Sequence, residues 1–134
     1  MTGKATPADL FAALDRLGVA HRTITHPPVF TVEVAKSLRG KIEGGHTKNL
    51  FLKDKADHLF LAVTLEDVPV DLKALGPIVG ARGRLSFGSA DLLRAHLGVE
   101  PGSVTPFALI NDRANTVTPV LDQTMLAVTP LNFH

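Results

Sequence analysis

The feature that most constrains the fold is a pair of apolar segments joined by four polar residues. Residues 47–53 and 58–64 are rich in Leu, Phe and Val, and residues 54–57 connect them. A connection of this length between two β-prone segments predicts an antiparallel hairpin. Apolar residues follow one another instead of alternating with polar ones, so we expect both faces of the hairpin to be buried.

Capping signals predict the helices that could cover this hairpin. Thr6 and Pro7 suit the cap and the first position of a helix that Gly18 would end. Ser89 would likewise cap a helix that ends at Gly98. Helical spacing of apolar residues supports both assignments. The helical segments expected on these grounds are 7–17, a second one from Thr31 through Leu38, one or two turns over 71–75, and 90–97.

Short apolar segments predict the remaining strands, at 19–24, 84–87, 107–110 and 116–121. The chain has no internal repeat, and 134 residues suffice for one core. Helices and strands are interspersed, so we predict a mixed α/β (α+β) fold forming a single domain over residues 1–134. With seven Phe and neither Tyr nor Trp, we expect the phenylalanines in the core and no exposed aromatic platform for nucleic acid.

Composition excludes several classes of protein. The chain has no cysteine, which rules out disulfides and thiolate chemistry, and it has no segment of 18 uncharged apolar residues that would span a membrane. It lacks a signal peptide, so we expect a cytoplasmic location. The net charge of +1 argues against coating of nucleic acid. One local group of cations within 17 residues could touch nucleic acid or form an ordinary mixed surface: Arg39, Lys41, Lys48, Lys53 and Lys55.

The common catalytic motifs are absent. Six histidines occur, but none has the His-x-x-His or His-Glu-x-x-His spacing of a metal site. There is no Gly-x-Ser-x-Gly turn for a nucleophilic serine and no Walker loop for phosphate. We therefore expect neither a metal ion nor a cofactor.

Two groups of residues remain as candidates for chemistry. Lys48 and Asn49 follow a glycine pair at the start of the first predicted hairpin strand, which would hold a cation and an amide in fixed positions. The segment 102–106, bounded by Gly102 and Pro106, can present main-chain dipoles to a pocket. Taken alone, the lysine could equally be a solvated charge, and the loop a tight connection between two elements.

Four segments together resemble the YbaK/ProX family of aminoacyl-tRNA editing domains, and within it the free-standing prolyl-tRNA editing proteins: 45–54, 84–88, 102–112 and 132–134. The similarity runs in register from about residue 8 to residue 134. It implies a compact, mixed, barrel-like sheet flanked by helices. It also implies hydrolysis of the ester that joins a wrong amino acid to the 3′-terminal ribose of tRNA, with Ala-tRNA(Pro) as the substrate.

The resemblance assigns roles to individual residues. Lys48 matches the essential lysine, which is expected to face the terminal nucleotide and its phosphate, and Asn49 is its neighbour in the motif. Gly102 and Pro106 match the ends of a Gly-x-x-x-Pro loop whose backbone borders the aminoacyl group, and His134 matches a histidine near the same pocket. The loop residues expected to line the substrate are Ser103, Val104 and Thr105.

Selection of alanine over proline requires a rigid wall, because one or two methylenes in an apolar pocket change binding by only roughly 1–3 kcal/mol. We assign that wall to Val29, Phe30 and Leu50, which could also be ordinary core residues. The expected partners are the 3′ aminoacyl end of mischarged tRNA and prolyl-tRNA synthetase. Editing of Cys- or Ser-charged tRNA, or a non-catalytic module that binds tRNA or synthetase, are the alternatives. The resemblance also implies a further segment after His134.

Overall fold

The computed structural model describes residues 4–23 and 44–133. The chain separates into two compact units, Met1–Gly44 and Gly45–His134. None of the helices in the described ranges is long and apolar enough to cross a bilayer.

The first unit contains helix α1, Pro7–Arg16, as predicted. The Thr6 hydroxyl accepts a hydrogen bond from the Asp9 backbone N–H (3.2 Å), and the Asp9 carboxylate accepts one from the Thr6 N–H (2.8 Å), which completes a capping box. Gly18 follows the helix with a φ of 72°, a left-handed conformation that glycine adopts without strain.

The strand predicted at 19–24 is wrong over its described residues, because 19–23 form no strand. His21 folds back onto α1, where its ring stacks on Phe11 at 5.7 Å and its Nε2 lies 3.0 Å from the Asp15 carboxylate. The Val19 N–H also bonds the Leu14 carbonyl (3.0 Å). These contacts with the helix take the place of pairing with another strand. The helix predicted after Thr31 lies outside the described residues.

The second unit is built on a mixed sheet of five described strands: β1 (Gly45–Lys53), β2 (Leu59–Leu65), β3 (Ser86–Phe87), β4 (Val117–Leu121) and β5 (Leu131–Asn132). β1 and β2 form the predicted antiparallel hairpin. Along the sheet the order is β3-β1-β2-β4, with β3 antiparallel to β1, β4 parallel to β2, and β5 parallel to the start of β1. The mixed sheet was predicted, but it does not close into a barrel.

The buried side chain of Asp54 stabilises the hairpin turn. Its buried carboxylate accepts hydrogen bonds from the backbone N–H groups of Ala56, His58 and Arg82 and lies 2.9 Å from the His58 ring Nδ1. Burial alone would raise the pKa of this carboxyl, but the hydrogen bonds, that from Arg82 first, lower its pKa to about 2. Asp54 therefore joins the hairpin turn to the segment before β3.

Helices α2 (Leu72–Val79) and α3 (Ala90–Leu97) pack against the sheet. α3 has the predicted Ser89 cap and ends at Gly98. α2 was predicted to stop before Gly76, yet it continues through Pro77. A proline removes one backbone hydrogen bond from the last turn, and this loss is offset by burial of apolar side chains against the sheet. Those side chains are Leu72, Leu75 and Val79.

The strand predicted at 107–110 is wrong, because Pro106–Asn111 is a 3₁₀ helix. Thr105 caps it by accepting the Phe107 N–H (3.3 Å), and Pro106 takes the first position. This is the same Thr-Pro signal that begins α1, here followed by an apolar run short enough to suggest a strand. A second 3₁₀ turn, Met125–Ala127, follows β4.

Each face of the sheet carries its own apolar cluster. The α3 face bears Phe51, Leu61 and Val63, packed with Leu93 and Leu97 of α3. On the α2 face, Leu52, Phe60 and Ala62 pack with α2. Burial on both faces confirms the expectation from the continuous apolar runs.

The expectation that every phenylalanine lies in the core is wrong for Phe87, which is 62% exposed. β3 is a two-residue strand at the edge of the described sheet, where no further described strand pairs with it. Phe51 and Phe60 are buried as predicted. The exposed ring is a surface feature that composition could not reveal.

Candidate active site

The site begins where β1 enters the sheet. Gly44 has a φ of 107°, and a Cβ at Gly45 would come within 2.8 Å of a Val128 methyl and 3.1 Å of a Leu65 methyl. The Gly45 N–H donates to the Pro130 carbonyl (2.9 Å). The two glycines therefore allow the backbone to turn and then to approach the segment before β5 more closely than a side chain would permit.

β5 fixes the first residues of β1 through side chains as well as backbone. The Thr47 hydroxyl donates to the Asn132 carbonyl (2.7 Å), and the Asn132 amide donates to the Gly45 carbonyl (3.1 Å). The Phe133 ring packs edge-on against Phe107 at 5.3 Å. Because Phe107 directly follows Pro106, this aromatic pair links the end of β5 to the candidate loop 102–106.

The loop 102–106 is tied to the core at its carboxyl end and exposed at its start. Gly102 has a φ of 90°, and the Ser103 N–H bonds the Glu100 carbonyl (3.0 Å). Val104 packs against the cluster on the α3 face, and Thr105 is buried. Gly102 and Ser103 remain exposed, although the Ser103 N–H is already used in the bond to Glu100.

Lys48 lies on the α2 face. Successive side chains of a strand point to opposite faces, and Leu50 and Leu52, which alternate with Lys48, pack in the α2-face cluster. Its direct neighbour on β2 is Thr64. Among the described residues, no ion pair or side-chain hydrogen bond neutralises the Lys48 ammonium. It is a cation held by a strand and open to an anionic partner.

Asn49 lies on the α3 face, which it shares with Phe51. Its Oδ1 is buried and has no hydrogen-bond partner among residues 4–23 and 44–133. A buried acceptor without a donor costs about 1–3 kcal/mol, so a donor supplied by a bound ligand would be favourable here. Neither β3 nor β5 pairs with residues 48–50 of β1.

The structure brings Asn49 to the face of the sheet that the loop 102–106 covers, whereas Lys48 and Leu50 lie on the other face. The resemblance had implied that Lys48 faces the terminal nucleotide of the substrate while this loop borders the aminoacyl group. Val29, Phe30 and His134 lie outside the described residues.

The Asp122 carboxylate, which the sequence did not indicate as a site residue, lies on the same face of the sheet as Lys48. Thr64 donates its hydroxyl hydrogen bond to the Asp122 carboxylate (2.8 Å), and the Thr124 hydroxyl adds a second (2.9 Å). These two hydrogen bonds lower the pKa of Asp122, so the carboxylate is ionised near neutral pH. The sequence contained one indication of this contact, because Thr64 carries a hydroxyl within an otherwise apolar strand.

Metal binding finds no support among residues 4–23 and 44–133, where no three His, Asp or Glu side chains form a group that could hold an ion.

Comparison with known proteins identifies the family. A family model described as "Aminoacyl-tRNA editing domain" matches residues 26–134, most of the chain. The chain belongs to the aminoacyl-tRNA editing domain family. This confirms the resemblance inferred from the four sequence segments.

Relatives of this editing domain carry prolyl-tRNA names. The "Prolyl-tRNA editing protein ProX" of Acetoanaerobium sticklandii is 33% identical over 126 residues, which cover 93% of this chain and 76% of the relative. The "Prolyl-tRNA synthetase associated domain-containing protein 1" of Danio rerio is 40% identical over 121 residues, covering 87% of this chain and 65% of the relative. The crystal structure of hypothetical protein APE2540 shares the fold, with a TM-score of 0.69 and 23% identity over 88% of this chain and 75% of its own.

Proposed function

We infer that this editing domain is a trans-acting deacylase that hydrolyses mischarged Ala-tRNA(Pro). Family membership supports editing in general, and the names of the bacterial and vertebrate relatives support the prolyl-tRNA system. The choice of alanine rests on the resemblance to the free-standing prolyl-tRNA editing proteins.

The observation that carries this proposal is the buried Oδ1 of Asn49, which has no hydrogen-bond partner among the described residues. Asn49 follows the unpaired Lys48 in β1, with its side chain on the opposite face of the sheet. The aminoacylated 3′ end of tRNA offers what both groups lack. Its ribose hydroxyl and its α-ammonium are donors for the Asn49 oxygen, and its phosphates are anions for Lys48. A ligand donor that reaches the Asn49 oxygen would remove the cost of the buried acceptor.

The reaction needs little beyond positioning. Water adds to the ester carbonyl carbon and loses one proton, the resulting oxyanion collapses, and the bond to the ribose oxygen breaks as that oxygen takes up a proton, so that one proton of the water ends on the ribose. An aminoacyl ester is already activated, so orientation and oxyanion stabilisation are sufficient without a metal ion or a covalent intermediate. The main chain at the exposed Gly102 would supply a donor for the oxyanion, and His134 would lie near the aminoacyl group.

Selectivity would come from an apolar wall. Leu50 is partly buried and packs against the cluster on the α2 face. Together with Val29 and Phe30 it would exclude proline by steric conflict, since attraction alone separates ligands that differ by one or two methylenes only weakly. Prolyl-tRNA synthetase, named in the vertebrate relatives, is the proposed protein partner.

The test is a deacylation assay on tRNA(Pro) charged separately with Ala, Cys, Ser and Pro. We expect release of alanine at the highest kcat/KM, no release of proline, and the same rate after treatment with EDTA. Faster release of Cys or Ser would replace the proposed substrate with a different aminoacyl group. Binding of tRNA with no release of any amino acid would show a non-catalytic module and overturn the enzymatic proposal.

A further inference from the structure

Four cations gather at the hairpin end of the sheet, and we call Lys53, Lys55, Arg82 and Arg84 the basic patch. Lys53 ends β1 and pairs with Ser86 of β3, two residues after Arg84. The Lys55 N–H donates to the Arg82 carbonyl (2.9 Å). Two separate parts of the sequence thus meet at the hairpin end of the sheet, where Lys55, Arg82 and Arg84 are exposed.

The charge of the basic patch is not neutralised within the described part of the protein. None of its four side chains forms an ion pair there. Asp54, the carboxylate next to Lys53 and Lys55, is buried and already holds three backbone N–H groups and the His58 ring. The whole chain has a net charge of only +1, so these four cations leave the remainder net negative. Such concentration of charge favours a polyanionic partner.

The backbone beneath the basic patch is preorganised. Arg82 donates its N–H to the Asp54 carboxylate (2.9 Å). Gly83 has a φ of 72°, and a Cβ at that position would lie 2.7 Å from the Lys55 Cδ, so the Lys55 stem runs directly over this glycine. Cations on a fixed backbone lose less entropy on binding than cations on a mobile loop.

Phe87 adds an exposed aromatic ring on the same edge strand, three residues after Arg84. It pairs with Leu52, so its side chain lies on the α2 face of this edge and that of Lys53 lies on the other face. At 62% exposure its ring offers an apolar surface to a partner. Aromatic rings beside cations are typical of RNA-binding surfaces, where a base or ribose stacks on the ring while phosphates meet the cations.

We propose that the basic patch and Phe87 bind the acceptor stem of tRNA, with Lys55, Arg82 and Arg84 on backbone phosphates and Phe87 against a nucleotide. This inference rests on the proposed function and extends it, because it assigns a surface to the part of the tRNA that does not react. The contacts are to phosphate and ribose, so they supply affinity and orientation more than sequence discrimination.

The experiment measures binding and deacylation separately. Uncharged tRNA(Pro) is titrated by fluorescence anisotropy at several salt concentrations against wild type, the triple variant K55Q/R82Q/R84Q and the control K73Q. Lys73 is exposed near the start of α2, about 9 Å along the helix from its last residue, Val79. The K73Q substitution therefore removes one charge outside the basic patch. We expect the triple variant to bind at least about tenfold more weakly, with a salt slope reduced by about 1 for each lost phosphate contact.

Deacylation is then compared on Ala-tRNA(Pro) and on the alanyl ester of the trinucleotide CCA, which has no stem. The triple variant should lose kcat/KM on the tRNA and retain the wild-type rate on the trinucleotide. Unchanged tRNA affinity and salt slope in the triple variant would overturn the proposal. Thermal unfolding verifies that each variant folds. If the wild type releases no amino acid, the proposed function fails while the binding titration still tests the basic patch.

Phe87 is tested by a matched pair. F87Y keeps an aromatic ring and should bind tRNA(Pro) like the wild type, whereas F87L keeps an apolar side chain without a stacking face and should bind about three- to tenfold more weakly. Equal affinities for F87L and wild type would remove Phe87 from the proposed surface.

Discussion

Lys48 and Asn49 are consecutive in β1, yet their side chains lie on opposite faces of the sheet. The lysine shares its face with Thr64 and the ionised Asp122, and the asparagine faces the side covered by the loop 102–106. The Lys48 ammonium has no ion-pair partner and the Asn49 Oδ1 has no hydrogen-bond donor among the described residues. Because they face different surroundings, their contributions can be separated by mutation.

Replacing Lys48 with Ala should lower deacylation of Ala-tRNA(Pro) by about 10²–10³-fold, since removal of one preorganised charge at a reacting site has effects of this size. Lys48→Arg should also impair the reaction, because a planar guanidinium has a different reach and shape from an ammonium. Single-turnover rates measure both effects. Thermal unfolding should be unchanged, as the side chain forms no ion pair with the described residues. A wild-type rate in Lys48→Ala would remove this residue from the mechanism.

Asn49→Leu should lower deacylation without lowering stability. Leucine has a similar size, and the substitution removes a buried acceptor that has no donor, so the free energy of unfolding should stay constant or rise by about 1 kcal/mol. Urea unfolding and the deacylation rate are measured on the same preparation. If Asn49 served only the fold, the variant would unfold more easily, which is the opposite result.

Asp54 makes the protein sensitive to acid. Its pKa is about 2 in the folded protein against an ordinary value of 3.8, so the unfolded chain takes up this proton at a higher pH than the folded one. The stabilisation is complete above the ordinary value and is lost as the pH falls through 3.8 towards 2. Urea midpoints across this range should fall for the wild type and change less for Asp54→Asn. Asp57→Asn, at an exposed turn position, serves as the control and should follow the wild type.

Gly45→Ala should destabilise the start of β1 by about 1–3 kcal/mol, because the added methyl would lie 2.8 Å from the Val128 side chain. Val128→Ala removes that contact, so the double variant should recover part of the loss. Chemical unfolding of the two single variants and the double variant forms a complete cycle. Strict additivity would show that the cost of Gly45→Ala has another origin.

Phe30→Ala should broaden the range of aminoacyl groups that are released. A smaller side chain in the proposed wall would admit proline, so the ratio of kcat/KM for Ala- and Pro-charged tRNA(Pro) should fall by roughly 10-fold or more. The parallel variant Leu50→Ala tests a second residue of the proposed wall. An unchanged ratio in both variants would contradict the wall assignment.

Local signals predicted the elements that local interactions determine. The Thr6 and Ser89 caps define α1 and α3, and the hairpin follows from two apolar runs and a short polar turn. The strand predicted at 107–110 is a 3₁₀ helix instead, because an apolar tetrapeptide fits both structures equally well. Only the Thr105 cap distinguishes them.

Features that depend on contacts between distant residues could not be predicted from the sequence. Lys48 and Asn49 were correctly placed at the start of a strand, but the division between faces depends on which helix covers each side. In the basic patch, Lys55 contacts Arg82, which is 27 residues away in the sequence. Arg82 and Arg84 were therefore absent from the cluster of cations that the sequence indicated.

The ties between β1 and β5 have a consequence for biosynthesis. The Thr47 hydroxyl and the Gly45 carbonyl bond to Asn132, which is translated 85 and 87 residues later. The hairpin can pair soon after residue 65 leaves the ribosome, since its contacts are local. The end of β1 that carries Lys48 and Asn49 acquires its second neighbour only when residues 131 and 132 have emerged. A nascent chain should therefore reach a folded core before it has a completed site.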